Sequence, residues 1–158
     1  PAIDPLLSWS RYREQLRDYL DRELDSNWTA DVETLLDLLR QADGIYQMMQ
    51  VTGEEGISLS DFVIYQKAQF LDTVYLQQDA FDAVDVATPL DRQQAMLQLV
   101  RDVTEREFMF DDKEKARSFF LRLTSAFRNL NYSATDSSDY VEFMSSIRSM
   151  MSDREGST

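Results

Sequence analysis

Residues 116 to 130 limit the possible folds more tightly than any other stretch. Ala116, Phe119, Phe120, Leu123, Phe127 and Leu130 recur at intervals of three and four, with Arg117, Ser118, Arg122, Ser125 and Arg128 between them. That interval places these six apolar side chains on one stripe of an α-helix and scatters them over both faces of a strand. A stripe so apolar must be covered by another element, and the rest of the chain offers more helices of the same kind. Gly 4 and Pro 3 in 158 residues are too few for a turn-rich sheet protein. The expectation is an all-α bundle of about six helices with no significant sheet. A single domain is expected over 1–152, with a frayed tail over 153–158.

The other helices follow along the chain. Asp4-Pro5 supplies a capping oxygen and a first-turn proline, and Trp9, Tyr12, Leu16, Tyr19 and Leu20 continue at helical spacing to a break at Ser26-Asn27. Thr29 or Asp31 opens a second helix striped by Val32, Leu35, Leu36, Leu39, Tyr46 and Met49, which closes at Val51-Thr52-Gly53. The loop Gly53–Ser60 holds two glycines and two adjacent acids. Ser58 or Ser60 caps the next helix, and Ser58 with Asp61 resembles a capping box. That helix carries apolar residues from Phe62 to Tyr75 on more than one side, which suits the most central position. It breaks at Gln77-Gln78-Asp79. Thr88-Pro89 starts a helix striped by Met96, Leu99, Val100 and Val103. Asp111 or Asp112 caps the helix of residues 116–130, and Ser137 or Ser138 opens a last helix with Tyr140, Met144, Ile147 and Met151 on one face.

Composition excludes several function classes. Net charge is −13 with a pI near 4.3, which opposes nucleic acid and anionic membrane as partners and suits a basic protein surface. Without Cys or His there is no thiolate chemistry, no Ser-His-Asp relay and no imidazole metal ligand. No apolar run reaches the roughly 18 residues of a membrane helix, so no direct membrane insertion is expected. No phosphate-loop motif GxxxxGK[ST] is present. Glu54-Glu55 and Asp111-Asp112 lie outside any calcium-loop pattern and read as solvated surface or caps. Asp82 and Asp85 can share a helix face, but a carboxylate enzyme is the weakest reading. No catalytic residue and no metal ligand is assigned. The chemistry describes a helical interaction domain.

The segment Phe70–Gln93 separates the remaining readings. Phe81 is a large aromatic at a helix break, where it either plugs a helix junction or makes a contact. Leu76-Gln77-Gln78-Asp79-Ala80-Phe81-Asp82, then Val84-Asp85, resembles the C-terminal helical region of the catalytic A subunit of vacuolar/archaeal-type rotary ATPases. Pro1-Ala2-Ile3-Asp4 with Ser8-Trp9-Ser10-Arg11-Tyr12, the loop Gly53–Asp61, and Pro89-Leu90 with Gln93 and Met96-Leu97 are similar to the same family. The family usually has Asn where Asp79 stands and an Arg-Glu-Asp run where Asp72-Thr73-Val74 stands. These departures suit a divergent bacterial branch.

The resemblance implies a fragment of a larger subunit, and Pro1 in place of an initiator Met fits that. The full subunit works with ATP or ADP and Mg at its interface with the B subunit. The phosphate loop, catalytic acid and metal site would all lie upstream, so this chain alone is expected to be inactive and to need no cofactor. Its implied role is to couple ATP hydrolysis or synthesis to central-stalk rotation and ion transport, in the cytoplasmic, membrane-peripheral head. Gln78, Ala80 and Phe81 match the segment closing over adenine. Glu54, Glu55, Ile57 and Leu59 match the loop that meets the rotor. The alternative is a free-standing acidic helical adaptor that binds a basic protein partner.

Overall fold

The computed structural model describes residues 27–76, 90–132 and 137–153. These residues form five α-helices and no sheet. The chain divides into two compact units, Pro1–Thr88 and Pro89–Thr158. The expected helix after Asp4-Pro5, the capping pair Thr88-Pro89 and the tail beyond Asp153 lie outside the described residues.

The first unit contains α1 (Asn27–Thr52) and α2 (Leu59–Leu71), which pack against each other. α1 buries Leu35, Leu36, Leu39, Ala42 and Ile45. The last two extend the stripe beyond its largest side chains, while Tyr46 and Met49 lie half-buried at its edge. α2 buries Phe62, Gln66, Lys67, Ala68, Phe70 and Leu71, on more than one side as its composition requires. A single π-type turn, Asp72–Leu76, continues α2. At the junction the Asp72 N–H is shared between the Ala68 and Gln69 carbonyls.

The second unit contains α3 (Leu90–Glu105), α4 (Lys113–Tyr132) and α5 (Ser138–Asp153). α4 and α5 pack together. Ala116, Phe119, Phe120, Leu123, Phe127 and Leu130 of α4 are all buried, as are Leu99, Val100 and Val103 of α3 and Ile147 and Met151 of α5. The α3–α4 connection adds to this core. Phe108 is 7% exposed, with its ring centroid 5.0 Å from Phe119 and 5.9 Å from Phe120. Offset and edge-on rings at such distances attract beyond their area burial.

Side-chain caps start three of the helices. Ser58 Oγ accepts the Asp61 N–H at 3.1 Å, Asp112 Oδ1 accepts the Lys115 N–H at 2.8 Å, and Ser137 Oγ accepts the Tyr140 N–H at 3.1 Å. Each bond satisfies one amide that the helix itself leaves open.

Phe119 is buried and its ring meets those of Phe108, Phe110 and Phe120, so Phe119→Ala removes volume that the cluster cannot easily refill. It is expected to cost about 3–5 kcal/mol, read as a lowered urea midpoint. A loss below about 1 kcal/mol would mean that the ring cluster is not structural.

Candidate functional site

The turn between α1 and α2 is built by two glycines that act differently. α1 ends when the Gly53 N–H bonds the Met49 carbonyl at 2.8 Å and the chain turns through φ 77° at Gly53, a backbone state that side chains with a Cβ resist. Glu54–Gly56 then form one 3₁₀ turn. A Cβ at Gly56 would lie 2.2 Å from Thr52 Oγ1 and 2.3 Å from Thr52 Cβ, so that position excludes any larger residue. Thr52 Oγ1 is itself held 3.0 Å from the Met48 carbonyl and 3.1 Å from the Gly53 carbonyl.

The four residues expected at the rotor separate by burial. Glu55 is exposed, and Glu54 and Leu59 are half-buried. Ile57 is only 5% exposed and anchors the turn from beneath. The turn therefore presents acids outward over an apolar anchor.

Beside it, Tyr46 and Tyr65 stack with centroids 6.2 Å apart and ring planes 14° apart. Gln69 Nε2 donates to Tyr65 Oη at 2.8 Å. Burial raises the Tyr65 pKa above its ordinary 10.0, Tyr46 and Glu54 raise it further, and the Gln69 bond opposes them. Tyr65 is thus a neutral phenol at physiological pH. By sequence Tyr65 counts among the apolar residues of its helix, and the helical interval from Tyr65 to Gln69 was the available signal of its hydrogen bond.

At the other end of α2, Gln66, Lys67 and Asp72 are each 8% exposed. The sequence singles out Asp72 as a departure from the family pattern and leaves Gln66 and Lys67 unremarked. A lone cation between Tyr65 and Ala68 in an otherwise apolar helix was the available clue. Gln78, Ala80 and Phe81 lie outside the described residues. Among the described residues no group of three acidic, His or Cys side chains is placed to hold a metal, and no helix is long and apolar enough to cross a membrane.

A raised phenol pKa adds stability while the phenol stays protonated, and that stability is lost as pH climbs through the folded-state value. The unfolding free energy of the native chain should therefore fall more steeply above about pH 10 than that of Tyr65→Phe. Urea titrations from neutral to alkaline pH read the difference, and parallel profiles would refute it. By the same titration at neutral pH, Gly53→Ala is expected to cost about 1–3 kcal/mol, because φ 77° with ψ 171° is a backbone region essentially confined to glycine.

The chain was compared with known proteins. The family model described as the C-terminal domain of V and A type ATP synthase matches residues 9–117. The chain is 42% identical to the V-type ATP synthase alpha chain of Chlamydia caviae, over 91% of this chain and 24% of that protein. It is 39% identical to the V-type ATP synthase alpha chain of Protochlamydia amoebophila, over 96% of this chain and 25% of that protein. Against that of Chlamydia pneumoniae the identity is 41%, over 90% and 24%. The chain thus spans about a quarter of the length of these relatives. No solved structure matches it. With the family model covering most of its length, the chain belongs to the C-terminal domain family of V and A type ATP synthases.

Proposed function

We propose that this domain couples the nucleotide state of a V/A-type catalytic subunit to rotation of a central stalk. The observation that carries the reading is the family match over residues 9–117. The full subunit would hydrolyse or make ATP with Mg at its interface with the B subunit, while ions cross the membrane. This domain would sit in the cytoplasmic head, peripheral to the membrane. It would supply no catalytic group.

Two contacts would carry the coupling. Gln78, Ala80 and Phe81 would close over adenine when the domain swings inward. A flat aromatic face suits the base, Ala80 leaves room beside it, and the Gln78 amide suits its polar edge. Because the contact exists only in the closed state, nucleotide binding would favour that state. At the turn, Glu55 would meet the stalk through its exposed carboxylate, with Glu54 and Leu59 beside it. Ile57 would act by holding the turn in shape. Exposed acids steer an encounter more than they strengthen it, so the rigid turn matters as much as its charge.

The isolated chain should bind Mg-ATP negligibly by calorimetry, because the phosphate contacts that dominate such affinity are absent from its sequence. A low-micromolar dissociation constant would sink the reading. In the assembled enzyme, Phe81→Ala should weaken nucleotide binding by about one to two powers of ten with the domain still folded. If that variant unfolds the domain and leaves affinity unchanged in surviving complexes, Phe81 is a core residue. A cysteine at Glu55 should cross-link to the stalk, and cross-linking to the B subunit alone would contradict the placement of the turn.

A further inference from the structure

α4 has two opposite faces, and the packing of its own unit uses one of them. The stripe from Ala116 to Leu130 is buried. Ser118, Leu121, Arg122, Ser125, Arg128 and Asn129 recur at the same three- and four-residue spacing on the other side, and all are exposed. Leu121 is 63% exposed, with Arg122 next to it and Arg128 two turns on. The helix pairs its earlier cations, Lys115 with Asp111 at 2.7 Å and Arg117 with Glu114. Among the described residues Arg122 and Arg128 form no ion pair. Their own helix denies them one. Three and four residues from Arg122 stand Ser118, Phe119, Ser125 and Ala126, and from Arg128 stand Thr124, Ser125, Asn131 and Tyr132. Residues 115–135 carry no Asp or Glu at all, in a chain that has 29 of them. Two uncompensated guanidinium groups and a large apolar side chain are thus left together in water on one face.

The charge on the face itself selects the occupant. A guanidinium is a rigid fork that takes a carboxylate through two parallel N–H···O bonds. Arg122 and Arg128 are six residues apart, about 9 Å along the axis at 1.5 Å per residue. They stand at opposite edges of the face, with the small side chain of Ser125 between them. That arrangement matches carboxylates one to two turns apart on a second helix, and Leu121 gives such a helix an apolar contact. A nucleic acid or an anionic membrane would meet the field of the whole chain at a net charge of −13, and a second copy would bring −13 against −13. We propose that the Leu121–Arg122–Arg128 face of α4 docks an acidic helix of a neighbouring subunit. The face belongs to the second unit, whereas the turn and the adenine segment belong to the first. It rests on the reading of this chain as part of a rotary ATPase head, and not on what the turn meets.

The chain contains no cysteine, so single cysteines can be placed without background in it. In the assembled head, a short photo-activated cross-linker on Ser125→Cys should capture a neighbouring subunit, and peptide mapping should place the product in an acidic helix. Arg122→Glu with Arg128→Glu should cut that product by about tenfold or more, and Arg122→Lys with Arg128→Lys should retain more of it than the Glu pair does. Added salt should lower the yield. The thermal midpoint of the isolated chain should not fall in the Glu pair, because both arginines are exposed and neither has an ion-pair partner to lose. A lowered midpoint would make the arginines structural and overturn the proposal. So would a yield that charge reversal leaves unchanged, or a product that maps to a segment without acids, to a second copy of this chain, to lipid or to nucleic acid. If Glu55→Cys reaches the stalk while Ser125→Cys captures nothing, the face is wrong and the coupling reading survives. If Ser125→Cys captures the acidic helix and Glu55→Cys never meets the stalk, the coupling reading fails and the face stands. If the chain enters no complex at all, both fall.

Discussion

Ile57 decides what the turn between α1 and α2 can present. The segment from Gly53 to Ser58 is too short to build a core, yet it turns an apolar side chain inward until only 5% of it is exposed. Everything around that anchor follows from it. Gly53 takes the positive φ that releases the chain from α1, Gly56 gives up a Cβ to pass Thr52, and Ser58 caps α2 directly after. With the apolar group committed inward, Glu55 points outward on a backbone held at both ends by helices. A contact made by such a turn loses little conformational freedom on docking, which is where mobile loops lose much of their affinity.

The parts of this fold that were legible in the sequence are those where the signal is local or periodic. The α4 stripe is buried at all six positions, because a period near 3.6 over fifteen residues leaves no other arrangement. Ser58, Asp112 and Ser137 cap because a cap needs only an oxygen within three residues of an open amide. The inward direction of Ile57 was not legible, since a turn has no period and Ile57 and Leu59 read alike as an apolar pair. The burial of Lys67 and Asp72 was also hidden. A π turn inserts an extra residue, so a helical wheel drawn through α2 loses its phase at Asp72, while Lys67, which precedes that turn, reads as solvent-facing from its residue type. Gln78, Ala80 and Phe81 were assigned an adenine contact by resemblance alone, with no periodic or local signal behind the assignment.

The charge of the chain is distributed unevenly, and that bears on which surfaces are available. In the second unit several acids are paired along their own helices. Arg101 bonds Glu105 at 3.2 Å, Lys115 bonds Asp111 at 2.7 Å, and Arg117 bonds Glu114. Such pairs contribute only about 0.2–0.5 kcal/mol each to a helix, and α4 carries Lys113, Lys115, Arg117, Arg122 and Arg128 against Glu114, which makes it a basic helix in an acidic chain. The first unit differs, because the only cations flanking its turn in sequence are Arg40 and the buried Lys67. Tyr65 adds no charge, since burial keeps its phenol protonated. The negative field there is therefore a property of the turn, and a cationic partner would feel it.

The order of the chain supplies the last step. α2 begins at Leu59, beside the turn that would meet the stalk. Its π-type continuation ends at Leu76, and Gln78, Ala80 and Phe81 follow within five residues in sequence. The two proposed contacts are thus attached to opposite ends of one helix, joined by hydrogen-bonded backbone. α2 with its π turn covers Leu59 to Leu76, about 27 Å at 1.5 Å per residue. A rod of that length tilting by about 10° moves its far end by about 5 Å, the size of the one-turn ratchets known from switching proteins. α1 and α2 pack against each other and each buries an apolar stripe, and such close packing resists bending. A small closure at the nucleotide would then appear at the turn as a displacement large enough to move a neighbouring surface.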